Sequence, residues 1–119
     1  MGLSDLFSSS IKVQRDPNTG AVKLTCSVDE LQDLLSILQE KVANYIKYKN
    51  REPYLTFEER RAMKLLEDEI QFTIKGIAEK CGVYIDKDQL INDVLSNPDK
   101  LAQLSKVYTF NIEENKEQK

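Results

Sequence analysis

Residues 27–82 read SVDELQDLLSILQEKVANYIKYKNREPYLTFEERRAMKLLEDEIQFTIKGIAEKCG, and this stretch decides the fold. The first helical pattern begins after Ser27, a favourable N-cap residue, and continues for nearly six turns. The second begins at Thr56, where Thr-Phe-Glu-Glu matches a capping box, and stops at Gly82, a residue suited to a left-handed C-cap. Pro53 lies between the two patterns, so we expect two helices and not one.

Each pattern has one apolar stripe at the spacing of an α-helix. The first stripe consists of Val28, Leu31, Leu35, Leu38, Val42 and Tyr45, widened by Leu34 and Ile46. The second consists of Met63, Leu66, Ile70, Ile74, Ile77 and Cys81, flanked by Leu65 and Phe72. Similar lengths, a short joint and matched stripes predict a long antiparallel α-hairpin.

Residues 11–26 favour a small β-hairpin at the N-terminal side of the helices. Apolar and polar residues alternate on both sides of Asp16-Pro17-Asn18-Thr19-Gly20, whose proline and glycine are typical of a turn. An isolated hairpin is marginally stable in water, so we expect its apolar side to pack on the helices or to pair with another chain.

The C-terminal part predicts one or two short helices. After an extended piece at 83–85, Asp86 is placed to cap a helix over 89–95, and Asn97-Pro98 to start another over 98–108. The fold class is therefore mainly α, with residues 1–110 as a single domain. Residues 111–119 contain one apolar residue and predict a disordered tail.

The composition argues against several classes of function. The chain has 119 residues, 17 basic and 20 acidic side chains and no histidine, which removes the most common general base and imidazole metal ligand. Acidic clusters such as 67–69 lack the spacing of carboxylate metal ligands. We therefore expect no catalytic activity, metal, cofactor or small-molecule substrate. Apolar runs are too short to span a membrane, which favours a cytoplasmic protein.

The two cysteines, Cys26 and Cys81, are far apart and form no CxxC pair. Isolated cysteines in a helical chain behave as small hydrophobic residues, so we expect two separate buried thiols in preference to a disulfide.

Residues 41–64 concentrate positive charge in an acidic chain. They include seven basic and three acidic residues, for a net charge of +4, against −3 for the whole chain. Aromatic residues are interleaved with them, and at the tip of an α-hairpin such residues could contact phosphates and stack on bases. A solvated loop is the simpler explanation and the one we favour. The candidate contacts, for nucleic acid or a protein partner, are Lys47, Tyr48, Lys49, Arg51, Tyr54, Arg60, Arg61 and Lys64.

The N-terminal segment contains a candidate docking motif. Leu3-Ser4-Asp5-Leu6-Phe7 resembles the short linear motifs that dock into sliding-clamp pockets, with Leu3, Leu6 and Phe7 as the docking residues. The glutamine that usually opens such motifs is missing, and we favour the alternative in which this arm packs on the core.

Together these patterns predict a non-enzymatic protein-interaction, adaptor or assembly subunit. Its helices offer broad apolar faces and its hairpin offers strand edges, so we expect a protein partner or a homo-oligomer. Nucleic-acid binding through the 41–64 tip is the alternative.

Overall fold

A computed structural model describes residues 10–106 and confirms the mainly helical fold. Helix α1 spans Val28–Asn50 and helix α2 spans Phe57–Cys81, joined by a 3-10 turn over Glu52–Tyr54. The two helices pack against each other as the predicted α-hairpin. The molecule measures 52 × 24 × 19 Å, so the hairpin sets its elongated shape.

The ends of both long helices are fixed by the residues that the sequence indicates. Ser27 Oγ accepts a hydrogen bond from the Glu30 backbone N–H at 3.0 Å. In α2, Thr56 Oγ1 accepts from the Glu59 N–H at 3.1 Å, and a Glu59 carboxylate oxygen accepts from the Thr56 N–H at 2.9 Å. Gly82 ends α2 with φ 73°, a left-handed conformation that glycine adopts without steric cost.

The core lies along the line where α1 and α2 meet. Its fully buried side chains come mainly from the predicted stripes, and the helix residues in it are Leu31, Leu35, Leu38, Val42, Tyr45, Ile70, Ile74, Ile77 and Cys81. The spacing of three and four residues places each set on one face of its helix, so burial follows directly from the sequence pattern.

The N-terminal hairpin is confirmed in its turn but is shorter than predicted. Strands β2 (Gln14–Arg15) and β3 (Val22–Lys23) pair antiparallel around the turn. Strand β1 (Ile11–Lys12) instead pairs with β4 (Tyr84–Ile85), which follows α2. Because β4 lies more than 70 residues further along the chain, this pairing leaves no local signal in the sequence.

The prediction of two separate thiols is wrong. Cys26 and Cys81 form a disulfide with an S–S distance of 2.06 Å. Cys26 immediately precedes the N-cap of α1 and Cys81 is the last residue of α2, so the antiparallel packing brings them together at the open end of the hairpin. Thr25 reinforces this link, because its N–H donates to the Cys81 carbonyl at 3.1 Å and its hydroxyl to the Lys80 carbonyl at 2.7 Å.

The C-terminal elements cover one side of the α-hairpin. Helix α3 spans Lys87–Ser96, and a 3-10 helix over Pro98–Gln103 replaces the predicted helix over 98–108. Buried residues of this part, Leu90, Ile91, Val94 and Leu104, join the core. The Ser105 N–H donates to the Gln39 side chain at 3.1 Å, which fastens the end of the described chain to α1.

Candidate interaction surface

Helix α2 has a second apolar stripe that points away from the core. Phe57, Leu65 and Phe72 are 70%, 60% and 78% exposed. At 3.6 residues per turn, their directions fall within an arc of about 80° on the side of α2 opposite its buried isoleucines. We call these three residues the outer ridge.

The outer ridge is unusual for a helix at the surface of a small protein. Such a helix ordinarily has one apolar stripe toward the core and polar residues opposite it. Single exposed apolar side chains are common, but three on one face of a single helix form a candidate surface for binding another macromolecule. The sequence stripe treats Leu65 and Phe72 as flanks of the buried face. Both residues lie more than about 100° around the helix from the centre of the buried face, and this angular position is the signal that identifies them as exposed.

A groove between α1 and α2 adjoins the outer ridge. Its apolar part is formed by Leu34, Ile37 and Phe72, and Gly76 contributes no side chain to fill it. The groove has a volume of about 590 Å³. An ion pair crosses it at one end, where Lys41 Nζ lies 3.0 Å from a Glu69 carboxylate oxygen. Ile37 is 45% exposed, so the groove extends the apolar surface toward α1.

The basic residues predicted from the sequence do lie at and beside the bend of the hairpin, but part of their charge is neutralised there. Lys49 forms an ion pair with Glu52 at 3.1 Å, and Arg51 with Glu59 at 3.5 Å. The hydrogen bond that Lys49 donates to Glu52 raises the pKa of Lys49. The Thr56 backbone N–H lowers the pKa of Glu59.

Other basic side chains near the bend make no ion pair with any residue in the 10–106 range. These are Lys47, Arg60, Arg61 and Lys64, all of them exposed. The Arg61 guanidinium carbon lies 5.9 Å from the centre of the Phe57 ring, in cation–π contact.

The aromatic candidates at the bend differ in accessibility. Tyr54 is 81% exposed, whereas Tyr48 is half-buried beside Lys47 and Arg51. Tyr54 therefore presents a ring that another molecule can reach.

Acidic residues follow the basic ones along α2. Lys87 Nζ donates a hydrogen bond to a Glu67 carboxylate oxygen at 2.8 Å, and this hydrogen bond raises the pKa of Lys87. Asp68 is exposed and makes no ion pair within the described part of the chain. Along this part of α2, the exposed charge thus changes from positive at Arg60–Lys64 to negative at Asp68.

Residues 10–106 offer neither a metal-binding cluster nor a membrane-spanning helix. No cluster of three or more cysteine, aspartate and glutamate side chains is arranged to hold a metal ion there. No helix in that range combines the length and apolarity needed to cross a lipid bilayer. The candidate docking motif of Leu3, Leu6 and Phe7 and the predicted tail at 111–119 lie outside the described residues. The chain matches no protein-family model, no curated protein and no solved structure.

Proposed function

We propose that this protein acts by binding another protein through the outer ridge of α2. The observation that carries the proposal is the alignment of Phe57, Leu65 and Phe72, each at least 60% exposed, on one face of a helix. Aromatic anchors with polar rims are the groups that contribute most energy to protein interfaces. The charged residues beside this ridge provide such a rim.

The rest of the fold supports this role by fixing both ends of α2. A capping box fixes its N-terminal end, and a disulfide and the Thr25 hydrogen bonds fix its C-terminal end. A surface held in place before binding loses less conformational entropy when a partner docks.

Affinity purification of the tagged full chain from its native cells tests the proposal. The variant Leu65→Lys/Phe72→Lys should lose bound proteins, including untagged copies of the chain, by about tenfold or more relative to the wild type. Tyr84→Lys is the matched control, because Tyr84 is 50% exposed on β4, away from the ridge. Equal recovery of the same proteins by the ridge variant would contradict the proposal.

Nucleic-acid binding at the bend is a second candidate function. It is supported by the four basic side chains without ion pairs and by the exposed ring of Tyr54. A labelled single-stranded oligonucleotide should bind with an affinity that falls steeply with salt, and Lys47→Glu/Arg60→Glu should abolish the binding. Undetectable binding at low salt would exclude this function.

The cellular compartment bears on the same proposal. The sequence favours the cytoplasm, but cytosolic thiols are kept reduced and structural disulfides persist in oxidising compartments. The Cys26–Cys81 disulfide therefore favours a protein that meets its partner outside the reducing cytosol. Acid quenching of intact cells, followed by alkylation of free thiols in denaturant and mass spectrometry, distinguishes the two: modified cysteines indicate the cytosol and protected ones an oxidising compartment.

A further inference from the structure

We propose that the molecule bound at the outer ridge is a second copy of this chain, packed antiparallel along α2 about a two-fold axis. This inference rests on the proposed function, since it names the partner of the same surface. The axis lies between Lys64 and Leu65.

The two phenylalanines of the ridge are arranged symmetrically about that point, and Leu65 lies beside it, opposite Lys64 of the other copy. Phe57 and Phe72 lie at equal distances along the helix from the midpoint of Lys64 and Leu65, about 11 Å on either side at 1.5 Å per residue. A two-fold axis there places Phe57 of one copy opposite Phe72 of the other, and the reverse. A self-complementary interface between identical chains requires this kind of arrangement.

The charges obey the same symmetry. Arg61 and Asp68 are also equidistant from the midpoint, so the rotation that pairs the two phenylalanines places Arg61 of each copy opposite Asp68 of the other. Both side chains are exposed, and neither forms an ion pair within residues 10–106. A parallel arrangement would instead bring Arg61 against Arg61 and Asp68 against Asp68, which repel. The antiparallel dimer therefore matches the two phenylalanines and the two opposite charges in one arrangement.

The same face is poorly suited to a polyanion. Its charged residues are balanced in sign, three basic and three acidic: Arg61, Lys64, Lys75, Glu58, Asp68 and Glu79. A nucleic-acid surface requires an excess of positive charge along the phosphate path, whereas a protein interface with a polar rim does not.

The size of the ridge indicates a dimer of moderate affinity. The two phenylalanine side chains together leave about 300 Å² uncovered, a substantial part of the ~800 Å² that each partner buries in a standard interface. We expect a dissociation constant on the order of 10 μM.

Sedimentation equilibrium of the purified full chain tests the dimer from about 1 to 500 μM, a range that brackets this constant. The wild type and the control Tyr84→Lys should pass from monomer to dimer, and Leu65→Lys should remain monomeric. Circular dichroism should give all three the same helical content, because both positions are exposed. A wild type that remains monomeric across the range overturns the proposal.

A charge exchange tests the antiparallel pairing itself. Arg61→Asp and Asp68→Arg should each weaken the dimer by about tenfold or more, and the double variant should restore it to within about threefold of the wild type. Failure of the double variant to recover would overturn the pairing even if a dimer forms.

The outcomes separate this inference from the proposed function. Suppose that the wild type is monomeric but still recovers a different protein from cells, with recovery lost in the ridge variant. That result would refute the dimer but would support the proposed interaction function. A monomeric wild type that also shows no ridge-dependent recovery of any protein would refute both proposals.

Discussion

Reduction of the Cys26–Cys81 disulfide should destabilise the fold strongly, because it joins the start of α1 to the end of α2. The two cysteines are separated by 55 residues, so the bond closes a long loop in the unfolded chain. For a loop of this length, the lost chain entropy corresponds to about 4 kcal/mol at 25 °C. A domain of this size has a free energy of unfolding of roughly 5–15 kcal/mol, so the effect is a large fraction of the total.

Urea unfolding followed by circular dichroism, with and without a phosphine reductant, measures this contribution. The reduced wild type should lose about 4 kcal/mol, and its Tm should fall by roughly 15 °C. The control is Cys26→Ala/Cys81→Ala, whose stability should not respond to the reductant. Reduction of the wild type is the cleaner perturbation, because Cys81 is fully buried and truncation there also creates a cavity.

A loss of unfolding free energy below about 1 kcal/mol in the reduced wild type, with both thiols shown to be free by mass spectrometry, would contradict a large contribution from chain entropy. In that case the Thr25 hydrogen bonds and the packing of Cys81 would hold the open end of the hairpin by themselves.

Three further predictions concern the helices. The Thr56 backbone N–H at the N-cap of α2 lowers the pKa of Glu59 from 4.5, so the Glu59 carboxylate stabilises the fold above that pH. In urea unfolding, the difference in stability between the wild type and Glu59→Gln should therefore shrink as pH falls through the lowered pKa. A difference that stays constant with pH would contradict this. Gly82→Ala should lower the free energy of unfolding by about 1 kcal/mol, because the φ of Gly82 is 73°. Gly76→Ala should raise it by up to about 1 kcal/mol, because an added Cβ at this position inside α2 meets open space. Thermal unfolding that gives the reverse order of stability would contradict both expectations. Leu38→Ala should cost about 2–5 kcal/mol because Leu38 is fully buried, and Leu65→Ala should change stability by less than about 0.5 kcal/mol; similar losses in the two would show that Leu65 is not on the surface.

At the bend, the sequence predicts where the basic residues lie but not which of them form ion pairs. The sequence locates a basic, aromatic segment at 41–64 and expects it at the tip of the hairpin. It does not show that Lys49 and Arg51 are each held by a nearby glutamate, because those ion pairs depend on how the 3-10 turn and the start of α2 are oriented. The role of the remaining basic residues in binding stays a prediction.

For the outer ridge, the sequence supplies the residues but does not determine whether they are exposed. Its residues are visible in the sequence, and Phe72 is exposed because, within residues 10–106, the C-terminal elements cover only one side of the hairpin. Which side they cover depends on the docking of α3 and on contacts such as Ser105 with Gln39. The periodicity of α2 alone places Leu65 and Phe72 away from the face that meets α1, but it does not show whether another element covers them.

The helices themselves follow from local physics. Apolar residues at spacings of three and four, the capping box at Thr56 and the glycine at position 82 act within a few residues of each other, so the sequence alone specifies where α1 and α2 lie and which faces they bury. The pairing of β1 with β4 and the bond between Cys26 and Cys81 join positions that are 55 or more residues apart. Nothing in the local pattern at one partner specifies the other, since the two meet only after the hairpin has folded back on itself. Tertiary structure therefore decided those contacts and the surface that they leave uncovered.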